Sequence, residues 1–137
     1  MNKQSFVLRQ ACVFFIAVLW FAAVGVPHIA TTPSAKAASQ KCLPGVLKKR
    51  LAQIRKKFGK VTVISTFRRG ARIRGTGRPS YHASCRAVDF NPPRGKYRAV
   101  ARWLKANHSG GVGTYSCKMH HIHIDNGPRV RFHKCIR

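Results

Sequence analysis

The pattern that decides the fold lies near the C-terminus, in residues 120–125, which read HHIHID. Successive side chains of a β-strand point to opposite faces, so His121, His123 and Asp125 share one face of a strand here. The two isoleucines of the run point to the other face, together with His120. The stretch therefore predicts a strand with one polar face and one mainly apolar face.

Residues on either side of this strand alternate between helical and strand-like patterns. The predicted elements are a helix at 43–58, a strand at 61–67, a strand at 85–90, a helix at 96–107, the strand at 120–125 and a strand at 129–132. Asn126-Gly127 between the last two strands is typical of a β-hairpin, and the basic, glycine-rich residues 68–80 predict a loop of the kind that carries function. The sequence predicts a small α+β domain, with two helices packed on one face of an antiparallel sheet.

Composition limits both size and chemistry. The chain has 137 residues, 27 Lys plus Arg and only 2 acidic residues, for a formal net charge of +25. This length accommodates one small domain and excludes a large multidomain enzyme. The acids are Asp89 and Asp125, and no Glu is present, so a mechanism that needs a glutamate base is excluded.

The N-terminal residues 1–37 are predicted to be a signal peptide. Lys3 and Arg9 precede an apolar run at 11–26, and the small-residue site Ala35-Lys36-Ala37 follows. The run is shorter than the roughly 20 residues of a spanning helix, so cleavage is favoured over an uncleaved anchor. We expect an exported domain of residues 38–137 in the periplasm or cell envelope, with no stable membrane span after cleavage. It would keep 24 basic residues and a net charge of +22.

Cysteine usage agrees with export. Cys12 lies in the predicted signal, which leaves Cys42, Cys85, Cys117 and Cys135, an even number that predicts two disulfides in an oxidising compartment. Three pairings are possible. We favour Cys85 with Cys117, which flank the His/Asp motifs, and Cys42 with Cys135, which would join the chain ends. A four-thiolate zinc site is disfavoured, because no two of these cysteines have close Cys-x2–4-Cys spacing.

Both acids lie beside histidines. His82, Asp89 and His123 would supply two imidazoles and one carboxylate, a ligand set that holds zinc and leaves a position for water. The alternative is that the histidines lie on the surface and that each Asp pairs with a neighbouring arginine, Arg86 or Arg129. We expect no role in the site for the remaining candidates. His108 and His133 are predicted to be surface or structural residues, and Trp103, Met119 and Phe132 are predicted to lie in the core.

Four motifs, in order, resemble those of the zinc D-alanyl-D-alanine carboxypeptidases and related murein endopeptidases, whose fold is shared with the hedgehog signalling domain. They are 63–68 (VISTFR), 80–89 (SYHASCRAVD), 111–115 (GVGTY) and 121–125 (HIHID). The family forms are a strand ending in Ser-x-x-Arg, then Ser-x-His-x-x-Gly-x-Ala-x-Asp, Gly-x-Gly-x-Tyr, and His-x-His or His-x-Asp. The resemblance implies that His82, Asp89 and His123 bind Zn²⁺ and that Arg68 contacts the carbonyl or carboxylate of the substrate.

The chain departs from this family pattern in two places. Cys85 replaces the glycine between His82 and Asp89, which suggests a disulfide beside the site. Many members have Asp or Glu three residues before the last ligand as the general base, and His120 stands there. His121 is our candidate for proton transfer or for stabilising the tetrahedral oxyanion, and Asp125 is expected to orient a ligand imidazole.

The resemblance implies a zinc peptidase that acts on peptidoglycan stem peptides or cross-links, as a D-Ala-D-Ala carboxypeptidase or a D,D- or L,D-endopeptidase. Anionic cell-envelope polymers are the other expected partners, because a strongly basic domain is attracted to them. The alternative is a non-catalytic, zinc-containing protein that binds the cell wall. A nucleic-acid or membrane-binding role is disfavoured, because of the predicted export and because no aromatic residues are interleaved with the arginines of 68–80.

Overall fold

The computed structural model describes residues 39–136, which form two α-helices, one 3₁₀ helix and five strands. In chain order these are α1 (Gly45–Phe58), β1 (Thr62–Ser65), the 3₁₀ helix (Tyr81–Ser84), β2 (Ala87–Asn91), α2 (Tyr97–Asn107), β3 (Val112–Cys117), β4 (Ile122–Asp125) and β5 (Arg131–Ile136). The predicted signal peptide and Cys12 lie outside the described residues. No helix within 39–136 is long and apolar enough to cross a membrane.

The strands form one sheet in the order β1-β2-β4-β3-β5. The pairs β1–β2, β2–β4 and β4–β3 are antiparallel, whereas β3 and β5 run parallel. The prediction of an α+β domain is confirmed, and the prediction of a purely antiparallel sheet is wrong. The predicted hairpin between the last two strands is also wrong, because β2 and β3 occupy both edges of β4, and β5 pairs with the far edge of β3.

The core lies between the helices and one face of the sheet. Leu47, Leu51 and Ile54 of α1 are fully buried, and they share a cluster with Val100 and Leu104 of α2. Each such side chain contributes roughly 1.5–3 kcal/mol by leaving water. The sheet residues in this cluster are Val63, Val88, Phe90, Val112, Ile122 and Ile124. Both predicted helices therefore pack on one face, and alternation directs Asp89, His123 and Asp125 to the opposite face.

Two disulfides cross-link the domain. They join Cys42 to Cys85 and Cys117 to Cys135. All four predicted cysteines are bridged, but the favoured pairing was wrong. Cys135 lies on β5, which runs alongside the end of β3 that carries Cys117, so these two cysteines meet once β5 has crossed to β3. Both bridges are consistent with an oxidising environment.

Some smaller assignments also differ from the prediction. Trp103, Met119 and Phe132, which were assigned to the core, are only partly buried. His108 is buried, which agrees with the structural rather than the surface role expected for it. The strand predicted at 120–125 begins at Ile122, so both His120 and His121 precede it.

Candidate metal centre

Three side chains predicted to bind a metal come from three different elements of the fold. His82 lies on the 3₁₀ helix, where the Ser80 side chain accepts a hydrogen bond from its backbone N–H. Asp89 lies on β2 and His123 on β4, and these two residues are direct partners in the antiparallel register. Cross-strand partners project from the same face of a sheet, so the register itself brings the carboxylate and the imidazole together.

The ligand atoms of these residues converge in a small, buried volume. One atom from each of His82, Asp89 and His123 lies within 4.8 Å of the other two. Asp89 Oδ1 is 2.9 Å from His123 Nδ1, and Asp89 Oδ2 is 3.2 Å from His82 Nε2. The two imidazole nitrogens are 3.3 Å apart. All three side chains are buried, so solvent does little to screen their mutual interaction.

The outward nitrogens of both rings face groups that can only accept hydrogen bonds. His82 Nδ1 donates to the Thr66 carbonyl oxygen at 2.6 Å, and His123 Nε2 donates to Asp125 Oδ2 at 3.1 Å. A neutral imidazole carries one proton, so these contacts hold it on the outward nitrogen of each ring. The lone pairs of His82 Nε2 and His123 Nδ1 are thereby directed at the convergence point beside Asp89, as in metal-binding histidines.

The protonation of the cluster shows that this point favours a positive charge. Burial alone would lower the pKa of His123, but hydrogen bonds to Asp125 and Asp89 and their negative charges raise it to about 9. Burial alone would raise the pKa of Asp89, but its contacts with His123 and His82 hold that pKa well below the usual range. At neutral pH a pKa of about 9 leaves His123 protonated on both ring nitrogens in the metal-free protein. A divalent cation that accepts nitrogen and oxygen ligands, such as Zn²⁺, would displace the inward proton of His123 and bind the freed lone pair together with His82 Nε2 and the Asp89 carboxylate.

Asp125 is anchored by the backbone as well as by His123. Its Oδ1 accepts hydrogen bonds from the N–H groups of Gly111 and Gly127 at 3.1 and 2.8 Å. Gly111 must be glycine here, because a Cβ atom would overlap the carboxylate of Asp125. The buried His108 ring contacts the Asp125 carbonyl oxygen through Nε2 at 2.8 Å. The structure thus places Asp125 where an orienting role toward His123 was expected.

The two predicted catalytic residues occupy different positions around the cluster. Arg68 has a half-exposed side chain, and its Nη2 lies 3.5 Å from Asp89 Oδ2, so its guanidinium group lies between the cluster and solvent. His121 is partly buried, and its ring packs on Tyr115 with the centroids 4.4 Å apart. Burial lowers the pKa of His121 and so favours its neutral form. It is not among the residues whose atoms converge at the centre.

The structure does not support the alternative in which Arg86 and Arg129 pair with the acids. Arg86 donates to Asn126 Oδ1 at 2.9 Å and stacks on the Tyr81 ring, and Arg129 donates to the Lys105 carbonyl. The exposed His133 contacts the side chains of Thr114 and Ser116 at the far edge of the sheet, in a structural role.

Sequence reasoning missed several residues that support the site. Thr66 contributes only a backbone carbonyl, which no side-chain pattern can reveal. Tyr97 of α2 uses its hydroxyl to accept from the Tyr115 N–H at 2.8 Å and to donate to the Tyr115 carbonyl oxygen at 2.9 Å. Burial and the charge of Asp89 raise the pKa of the Tyr115 phenol to about 12, so it stays protonated beside the site. The family motif containing Tyr115 was the available signal.

A buried His/Asp/His cluster with outward nitrogens held by acceptors, on a mixed sheet backed by two helices, is typical of a mononuclear metallohydrolase. The sequence model of the peptidase M15 family matches residues 29–125. The chain therefore belongs to peptidase family M15, a family of zinc peptidases, which makes it a hydrolase of the metallopeptidase class. The comparisons with curated proteins and with solved structures found no match.

Proposed function

We propose that this protein is an exported zinc peptidase that hydrolyses amide bonds in the stem peptides or cross-links of peptidoglycan. The observation that carries the proposal is the convergence of two inward imidazole nitrogens and one carboxylate within 4.8 Å, in a member of peptidase family M15. His82, Asp89 and His123 would hold the Zn²⁺. The two disulfides support export to the periplasm or cell envelope.

Bound zinc supplies Lewis-acid polarisation of a carbonyl and activation of water near neutral pH. The residues of the chain do the rest. Arg68, cationic and partly exposed beside Asp89, binds the substrate carbonyl or carboxylate and stabilises the negative charge that develops on oxygen. Asp125 keeps the His123 ring in the orientation that directs Nδ1 inward.

Proton transfer falls to His121 in this proposal. Asp89 is committed to the cluster and Asp125 to His123, and the sequence has no other carboxylate side chain. Burial lowers the pKa of His121 and so favours the neutral ring, which can accept a proton from water and return it to the leaving amine. The protonated phenol of Tyr115, which packs on the His121 ring, is available as a hydrogen-bond donor.

Surface charge supports an anionic setting for this chemistry. Both aspartates are buried, so every exposed side chain within residues 39–136 that is charged throughout the physiological pH range is a lysine or an arginine. The loop at 68–80, which begins at Arg68, carries four further exposed arginines, Arg69, Arg72, Arg74 and Arg78. Such a surface is attracted to anionic cell-envelope polymers and to the free carboxylates of stem peptides.

Digestion of purified sacculi tests the proposal. We expect new muropeptides from the wild-type protein, none after treatment with a chelator, and none from His82→Ala. His133→Ala is the matched control, because it removes a histidine outside the cluster, and it should digest like the wild type. Defined peptides ending in D-Ala-D-Ala, tested beside cross-linked dimers, separate carboxypeptidase from endopeptidase activity. Muropeptide profiles that never change would overturn the enzymatic proposal.

The second candidate is a zinc-containing protein that binds the wall without cleaving it. The observation in its favour is His120, which stands where many relatives have the carboxylate base and which is exposed. Zinc-loaded protein that cosediments with sacculi but releases no muropeptide would support this candidate. Retention on DNA together with no affinity for sacculi would argue against both candidates.

A further inference from the structure

We propose that the Cys42–Cys85 disulfide is a positioning element for His82, fixing the direction in which this imidazole presents Nε2. The inference rests on the metal site proposed above and concerns a feature that the family motif lacks, because a cysteine stands where the motif has glycine. It assigns the bridge a role in metal affinity that is separate from its contribution to the stability of the fold.

The first support is the position of Cys85 relative to His82. Cys85 directly follows the 3₁₀ helix that carries His82, and its N–H donates to the His82 carbonyl oxygen at 3.3 Å. It is buried and has φ +56° and ψ 28°, in the left-handed region that favours glycine. A side chain at this position has a conformational cost that glycine avoids, and the side chain present here forms a covalent link to Cys42.

The second support is that the N-terminal segment 39–42 holds His82 from both sides. Cys42 is bonded to Cys85 on the C-terminal side of His82. Ser39 accepts a hydrogen bond at 2.8 Å from the hydroxyl of Thr66, and Thr66 is the residue whose carbonyl accepts from His82 Nδ1. One short segment therefore fixes both the backbone that carries the ring and the acceptor that orients it.

The third support is the contrast with the other bridge. Cys117–Cys135 joins β3 to β5 at the sheet edge away from β1, and neither strand carries one of the three proposed ligands. Cys117 also has a positive φ, +70°. Each bridge thus includes one cysteine whose backbone has the left-handed conformation. Only the Cys42–Cys85 bridge lies next to a proposed metal-binding residue, so the Cys117–Cys135 bridge is a matched control for it.

The test compares two double variants of the purified, oxidised protein, Cys42→Ser/Cys85→Gly and Cys135→Ser/Cys117→Gly. Zn²⁺ affinity is measured by competition with a chromophoric chelator, Co²⁺ absorption reports coordination geometry, and circular dichroism confirms folding at the temperature used. We expect the first variant to bind Zn²⁺ about tenfold or more weakly, the loss typical of a misoriented ligand, with an altered Co²⁺ spectrum. The second variant should bind within about twofold of the wild type, which is less than a lost orienting contact produces.

Each result bears on a separate claim. Equal affinities for the wild type and the first variant, or equal losses in both variants, would overturn the positioning role and leave the metal centre standing. Absence of Zn²⁺ binding by the wild type would overturn both. If the first variant does not fold, Cys42→Ala replaces it, because it breaks the same bridge and leaves the buried Cys85 side chain in place. Cys42→Ala should weaken Zn²⁺ binding several-fold, and unchanged affinity would overturn the inference.

Discussion

Asp125 determines which nitrogen of His123 is free to bind a cation, and Asp125→Asn tests this directly. In the wild type, Oδ1 accepts from the N–H groups of Gly111 and Gly127, and Oδ2 faces His123 Nε2 at 3.1 Å. In the variant, the two N–H groups hold the amide oxygen, so the NH₂ group faces Nε2. A donor at that position forces Nε2 to accept, and the ring proton then moves to Nδ1, where it blocks the inward lone pair.

The magnitude follows from the hydrogen bonds that fix the amide. Turning it over would leave the Gly111 and Gly127 donors without acceptors, at a cost of roughly 1–3 kcal/mol each. The unfavourable orientation therefore dominates, and we expect Zn²⁺ affinity to fall about 100-fold, the upper end for loss of an orienting partner. The metal-free fold should lose roughly 1.5–3 kcal/mol, because the charged hydrogen bond to His123 is lost while both backbone hydrogen bonds remain.

A competition titration with a chromophoric chelator measures this loss, and Asp125→Ala is the control. The alanine variant loses both backbone hydrogen bonds and should melt at a lower temperature than the asparagine variant. Its His123 ring is free to carry the proton on Nε2, so it should nevertheless bind Zn²⁺ more tightly than the asparagine variant does. Affinity in the asparagine variant equal to or above that of the alanine variant would refute the argument from the proton position.

Three further predictions concern pH, packing and salt. In chelator-treated protein, the stabilisation from His123, whose pKa rises from 6.5 to about 9, is complete below pH 6.5 and is lost as the pH rises through 9. The stabilisation from Asp125, whose pKa is lowered from 3.8, is present above pH 3.8 and is lost as the pH falls through its lowered value; melting temperatures that stay flat at both extremes would contradict this. Gly111→Ala should cost roughly 1–3 kcal/mol by overlap with Asp125 and should weaken Zn²⁺ binding, whereas Gly45→Ala, with nothing near its Cβ position, should do neither, and equal melting curves for the two variants would count against the packing argument. Binding to sacculi should weaken as salt rises, and replacing the arginines of the loop at 68–80 with glutamine should flatten that dependence; cosedimentation that is insensitive to salt would rule out a charge-driven contact.

The polar face of β4 was predictable because side-chain alternation is a local rule. His123 and Asp125 share a face as expected, and Ile122 and Ile124 enter the core. The prediction that His121 shares this face as part of the strand is wrong, because His121 precedes Ile122, the first residue of β4. The approach of Asp89 to His123 depends on strand register, which alternation does not specify, and the order of the family motifs supplied that information.

The path of β5 could not be predicted from local signals. The Asn126-Gly127 pair is typical of a tight hairpin, yet the Asn126 N–H donates to the Arg86 carbonyl and the Gly127 N–H donates to Asp125. The first of these hydrogen bonds is long-range and the second goes to the Asp125 side chain, so both use donors that a local hairpin turn would need. The chain continues past β3 to its free edge. The disulfide pairing depends on the same crossing, because Cys135 meets Cys117 only after it.

The burial of both aspartates in the site affects how copies of this protein distribute on an anionic surface. Because the exterior formed by residues 39–136 carries fixed charge of one sign, two copies repel each other at low ionic strength, while each is attracted to a polyanionic matrix. We expect copies to spread across such a matrix rather than gather in clusters. They would occupy it at a spacing set by their mutual repulsion, and added salt would compress that spacing.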